Sequence, residues 1–116
     1  MPIKRDHIFY LEDMQTSMLR IQEYIGNMEF RQFKMSYMVV DAVIRNFEII
    51  GEAAKNVHEW IKSKYPLVPW KEMYYMRNKI PHEYFGIDYE IIWDIIINYL
   101  PENKKELILI IQTEKK

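Results

Sequence analysis

The chain has 116 residues, enough for a single core and too few for two, so residues 1–116 read as one domain. Apolar residues make up 49 %, with nine tyrosines, five phenylalanines, three tryptophans and eight methionines, which excludes disorder and leaves more adhesive surface than a monomer of this size needs. Sixteen basic and seventeen acidic residues give a net charge of −1, so no global field draws the chain to nucleic acid or membrane, and the absence of cysteine excludes disulfides, thiolate metal sites and a cysteine nucleophile.

From Met1 to His7 the chain leads into a charged amphipathic pattern, and no apolar run reaches membrane-spanning length, which predicts a soluble, cytoplasmic protein. Ile8, Leu11, Met14, Met18, Ile21 and Ile25 follow steps of three and four, predicting a first helix that Gly26-Asn27 stops. A second, long helix is expected from near Met35 to about Lys64, with Val39, Ala42, Asn46, Ile49, Ala53, Val57 and Trp60 on one face. Asn46 is the polar member of that face, read as a buried amide that fixes register between helices in preference to a site residue. Gly51 lies inside the same helix, where close approach of another backbone would justify it. Beside the apolar stripe runs a polar one, Asp41, Arg45, Glu48 and Glu52, either a solvated face or the border of a site.

The run from Tyr65 to Trp70 reads as a rigid turn, with Pro69 placed to open a third helix. That helix carries Arg77, and Pro81 is expected to end it near Ile80. Asp88 suits an N-cap, followed by a fourth helix burying Ile91, Ile92, Ile95, Ile96 and Tyr99. Pro101 starts the last segment, in which Leu107 to Ile111 favours helix by the company it keeps and offers an exposed side for association. No hairpin signal, glycine-rich phosphate loop or Cys/His metal cluster appears, and His7 and His58 read as surface or core-edge residues. The sum is an all-α, up-and-down bundle of four to five helices.

The segment from Met76 to Gly86 is where chemistry concentrates. Arg77 offers a permanently charged fork that fits phosphate oxygens, and His82 gives and takes protons near neutrality. Five residues along an unbroken helix put the two side chains roughly 140° apart, and a bend at Pro81 would change that, turning His82 and Tyr84 toward or away from Arg77. The plainer alternative is a helix C-terminus whose cations favour the negative end of the dipole.

Arg77, Asn78, His82, Glu83 and Tyr84 together resemble the Arg-x4-His-x-Tyr motif of HepT-like proteins of the HEPN superfamily. The similarity extends through Ile49 to Ala54, Tyr65 to Trp70, Phe85 to Asp88, Trp93 and Leu100-Pro101, nearly the whole chain. The resemblance implies a HEPN-like bundle that dimerises, with the motif residues of both chains facing a shared cleft, acting as a metal-independent endoribonuclease toxin without a cofactor. It implies that His82 moves the proton, that Arg77 stabilises charge on phosphoryl oxygens, and that Asn78 and Glu83 support the site. Its implied partner is an MNT-type nucleotidyltransferase antitoxin that transfers AMP from ATP onto Tyr84, whose plainer role is aromatic packing beside Phe85. Two other readings remain: a non-catalytic module whose cleft binds nucleotide, RNA or the transferase, and a structural dimer in which the motif is only a helix end.

Overall fold

The computed structural model describes residues 3–74 and 88–115, with side chains from residue 8 onward, and every regular element among them is helical. The fold is all-α, as expected. Helix α1 (Ile3–Ile25) buries Ile8, Leu11, Met14, Met18, Ile21 and Ile25 together, because steps of three and four return to one side of an axis that turns about 100° per residue. Gly26 ends it in the left-handed region at φ 53°, open to a residue without a Cβ, and donates its N–H to the Gln22 carbonyl at 2.9 Å.

Two helices stand where one long helix was expected, and a short one precedes them. Helix α2 (Phe30–Met35) starts at Glu29, whose N–H donates to Gln32 Oε1 at 2.8 Å, and it buries Phe33 completely. Ser36 interrupts the path, and its Oγ accepts from the Val39 N–H at 3.4 Å to cap α3 (Tyr37–Asn56). At the far end, Asn56 Nδ2 donates to the Glu52 carbonyl at 2.9 Å, and Val57 and His58 run extended with ψ of 136° and 142° before α4 (Glu59–Lys64). An asparagine that engages a helical carbonyl, followed by a β-branched residue, ends the helix without glycine or proline.

The buried face of α3 is also turned relative to the expected stripe. Val40, Val43, Asn46, Phe47, Ile50, Gly51, Ala53 and Ala54 are buried, whereas Val39, Ala42 and Ile49 are only half-buried and Trp60, now on α4, is exposed. Asn46 is buried as predicted, but its amide serves its own helix: Nδ2 donates to the Ala42 carbonyl at 2.9 Å and Oδ1 has no partner. It makes no bond that would set register between helices.

The turn before α5, which is described over residues 70–74, matches its expected role. Trp70 Nε1 donates to the Tyr65 carbonyl at 3.0 Å, and the Pro69 carbonyl accepts from the Met73 N–H at 3.0 Å. Helix α6 (Tyr89–Asp94) begins at Asp88, whose Oδ1 accepts from the Ile91 N–H at 3.1 Å, and it passes through a π-helical turn (Ile95–Tyr99) into α7 (Leu100–Glu114). Pro101 explains the π turn: it has no N–H for the Ile97 carbonyl and its ring crowds that carbonyl, so the helix widens and the Leu100 N–H reaches back to Ile95. The face that results buries Ile92, Ile96 and Leu100 and half-buries Ile95, and it corrects the expected burial of Ile91 and Tyr99, which are exposed. The run Leu107 to Ile111 is helical, with Leu107, Ile110 and Ile111 buried.

Helix α1 packs on α3 and on α7. Lys104 bonds Gln22 at 2.5 Å and Lys115 pairs with Glu12 at 3.1 Å, which fixes α7 antiparallel to α1. Two substitutions test this core in urea unfolding. Phe47→Ala empties the α1–α3 seam and is expected to cost about 3–5 kcal/mol. Asn46→Leu removes the unpartnered acceptor at nearly constant volume and is expected to leave stability unchanged or raised, and a loss as large as that of Phe47→Ala would show that Oδ1 has a partner in solution.

Candidate functional site

Arg77, Asn78, Pro81, His82, Glu83 and Tyr84 lie outside the described residues, as does the helix end expected near Ile80. What the structure describes is the frame on both sides of them. On the N-terminal side, Trp70 and Met73 of α5 are buried, and the indole bond to the Tyr65 carbonyl fixes the direction in which α5 sets out. On the C-terminal side, Asp88 caps α6, and the next two turns present Tyr89 and Trp93 to α2. Phe33 stacks against Trp93 at 5.3 Å and meets Tyr89 edge-on at 6.5 Å, while Phe30 lies 5.9 Å from Trp93. Such ring pairs add about 0.5–1.5 kcal/mol each beyond area burial, so residues 88–93 are fixed by a cap and by an aromatic cluster on α2.

The polar stripe of α3 is placed on the side of the helix away from the core. At about 100° per residue, Asp41, Arg45, Glu48 and Glu52 centre on the order of 150° from Val43, Phe47 and Ile50. Asp41, Arg45 and Glu52 are exposed and Glu48 is half-buried. The motif residues they were expected to border lie outside the described residues.

A second polar cluster joins the Tyr65 turn to α7 and carries no signal in the sequence pattern. The Tyr65 hydroxyl donates to Glu114 Oε2 at 2.5 Å, and Lys64 Nζ lies 2.9 Å from the same oxygen. Both groups hold their protons more tightly than usual, each chiefly through its hydrogen bond to Glu114. Beside this cluster opens a cavity of about 320 Å³ between the turn and α7. Glu106 lines it, and burial, with Glu102 one turn away, raises its carboxyl above the usual range; burial, with Glu12, does the same to Asp13 on α1. His58 is half-buried just before α4. Among the described residues no group of His, Asp and Glu converges as a metal site, and no helix is long and apolar enough to cross a membrane.

Sequence reasoning named Asp88 and Trp93 but missed Phe33 as their counterpart. The signal was present in Glu29-x-x-Gln32, an acceptor pair at capping spacing before an apolar turn.

The family described as Ribonuclease HepT-like matches residues 14–110, a span that includes the Arg77 to Tyr84 segment. A protein of Methanocaldococcus jannaschii, provisionally named an RNase, is 46 % identical over 104 residues, covering 90 % of this chain and 86 % of its own. Another provisionally named RNase, from Caldanaerobacter subterraneus subsp. tengcongensis, is 40 % identical over 106 residues, covering 91 % and 95 %. A protein of Thermococcus cleftensis, provisionally named ribonuclease HepT, is 39 % identical over 102 residues, covering 88 % and 93 %. No solved structure matches the chain significantly.

The frame generates two expectations. Asp88→Ala removes the cap of α6 and is expected to lower stability by about 1 kcal/mol in chemical denaturation. The phenol of Tyr65 has its pKa raised in the fold, so the stability it contributes is fully present below the unfolded tyrosine pKa and is lost as pH rises through the folded one. The phenolate absorbance lost in Tyr65→Phe should therefore titrate late in the wild type, and Glu114→Gln should bring that titration to lower pH.

Proposed function

Because the chain belongs to the HepT-like ribonuclease family of the HEPN superfamily, we propose that it is a metal-independent endoribonuclease, the toxin of a HEPN/MNT toxin–antitoxin pair, acting on cytoplasmic RNA as a homodimer. The observation that carries this reading is the Arg77-x4-His82-x-Tyr84 segment lying inside the matched span, in a chain that covers most of the length of its RNase-named relatives.

The chemistry follows from the residue types. The 2′-hydroxyl of the RNA attacks the adjacent phosphorus, the bond to the 5′-oxygen breaks, and a 2′,3′-cyclic phosphate and a 5′-hydroxyl result. One proton leaves the 2′-oxygen and one arrives at the 5′-oxygen, so no water or metal-bound hydroxide is consumed. His82 moves the proton, and Arg77 stabilises the charge that grows on the non-bridging oxygens. Asn78 orients the phosphate and Glu83 tunes the surroundings. Two chains facing one cleft double the local positive charge, which meets the objection raised by a net charge of −1.

Tyr84 is the regulatory residue in this reading. Its phenolic oxygen attacks the α-phosphorus of ATP on the MNT-type antitoxin, pyrophosphate leaves, and the AMP ester places bulk and negative charge where an RNA phosphate must dock.

In an assay with EDTA present, the purified chain is expected to cleave RNA. His82→Ala should slow cleavage by about 10²–10⁴-fold and Arg77→Ala by about 10²–10³-fold, with helical circular dichroism unchanged. Full activity in both variants would sink the reading, and RNA that is bound but left intact by the wild-type chain would favour the binding module. With the transferase and ATP, intact mass should rise by one AMP in the wild type and stay constant in Tyr84→Phe.

A further inference from the structure

The bond between Tyr65 and Glu114 joins residues 49 positions apart and ties the last turn of α7 to the turn that opens α5. The Glu114 side chain is only 9 % exposed, and its Oε2 accepts from the Tyr65 hydroxyl at 2.5 Å and faces Lys64 Nζ at 2.9 Å. The two donors are unequal. Water screens the pair with Lys64, whose side chain is 54 % exposed, whereas the phenol makes the shorter, part-buried bond. The anchor itself is firm, because Ile110 and Ile111, one turn back on α7, are buried.

Tyr65 is engaged through its backbone as well. Its carbonyl accepts from the Trp70 indole at 3.0 Å and from the Val68 N–H at 3.3 Å, and its N–H donates to the Ile61 carbonyl at 3.0 Å. Pro66 and Pro69 hold φ near about −65° between these bonds, so the turn has little freedom to absorb a rotation of Tyr65. The helix that leads into the turn adds little restraint, since α4 has six residues and buries Ile61 alone. The orientation of Tyr65 thus depends heavily on its hydroxyl bond, and Tyr65 in turn orients Trp70, the first residue of α5, from which the sequence reaches Arg77 seven positions on.

We infer that Glu114 is a positioning residue, which through Tyr65 sets the direction in which α5 leaves the turn on the way to Arg77. It contributes no group to the reaction and acts by orienting the element that the Arg77 segment continues. The effect on catalysis rests on the ribonuclease reading above; the coupling of α7 to α5 does not.

Two readouts on the full chain test it. In proton–nitrogen correlation spectra, the Trp70 indole resonance, assigned by its loss in Trp70→Phe, should move in Glu114→Ala and in Tyr65→Phe, which removes only the hydroxyl. It should return toward the wild-type position in Glu114→Gln, whose amide oxygen still accepts the phenol, and stay in place in Lys115→Ala, which opens the exposed pair with Glu12 on the same turn. In RNA cleavage with EDTA, kcat should fall about 10- to 10²-fold in Glu114→Ala and Tyr65→Phe with KM little changed, because the role proposed for Arg77 lies in the transition state. Glu114→Gln should recover most of that loss, and the double variant Tyr65→Phe/Glu114→Ala should be no slower than either single one. An indole resonance that stays put in Glu114→Ala, or moves equally in Glu114→Gln, overturns the coupling, and a kcat unchanged in both single variants overturns the positioning role. A wild-type chain that leaves RNA intact contradicts the ribonuclease reading instead, and the indole resonance then decides the coupling by itself.

Discussion

The apolar stripe of α1 is the surface on which the other helices are placed. Leu11, Met14, Met18 and Ile21 are fully or almost fully buried, and α3 and α7 both lie against this helix. Its length matters as much as its composition. At about 1.5 Å per residue, a helix of 23 residues spans most of the long dimension of a molecule measuring 46 × 28 × 24 Å. Helix α3 follows α1, α2 is fixed by Phe33 beneath it, and Phe33 in turn receives Tyr89 and Trp93. The frame of the motif segment is thus the third layer of a packing order that begins with the spacing of six residues in α1.

This order suits the proposed site, whose candidate residues are compact in sequence. Arg77 and His82, the proposed catalytic pair, are separated by four residues, so the proposed site draws on one stretch of sequence and not on groups from distant elements. The described residues that flank this stretch are fixed by the indole bond of Trp70 on one side and by the Asp88 cap with its aromatic cluster on the other. The acidic and basic residues elsewhere nearly cancel, which leaves the field at the segment to local charge and to the second chain of the proposed dimer.

What the sequence made legible divides along physical lines. The first helix, its glycine stop, the Asp88 cap and the all-α class were readable because each rests on one local rule: periodicity, a left-handed turn, or a side chain accepting a backbone N–H. The expected helix from near Met35 to about Lys64 begins close to where it was placed, at the Ser36 cap, but it breaks at Asn56, whose side chain competes for a backbone carbonyl, and periodicity does not register that competition. The face of α6 was ambiguous for another reason. The doublets Ile91-Ile92 and Ile95-Ile96 support two stripes equally, and the π turn before Pro101 decides for Ile92, Ile96 and Leu100. Arg77, His82 and Tyr84 stood out by residue type and spacing, and the role proposed for them became specific only with the surrounding blocks, Tyr65 to Trp70 and Phe85 to Asp88. The bonds of Glu114 to Lys64 and Tyr65 cross from one end of the chain to its middle and leave no trace in local pattern.

The most direct measurement is the chemistry of the RNA ends left by cleavage, read by mass spectrometry of fragments made in EDTA. Attack by the 2′-hydroxyl predicts a 2′,3′-cyclic phosphate on each upstream fragment and a 5′-hydroxyl on each downstream one, both missing when His82→Ala replaces the wild type. Fragments ending in 3′-hydroxyl and 5′-phosphate would contradict it, because water or hydroxide would then be the nucleophile and neither His82 nor Arg77 would have the role assigned here.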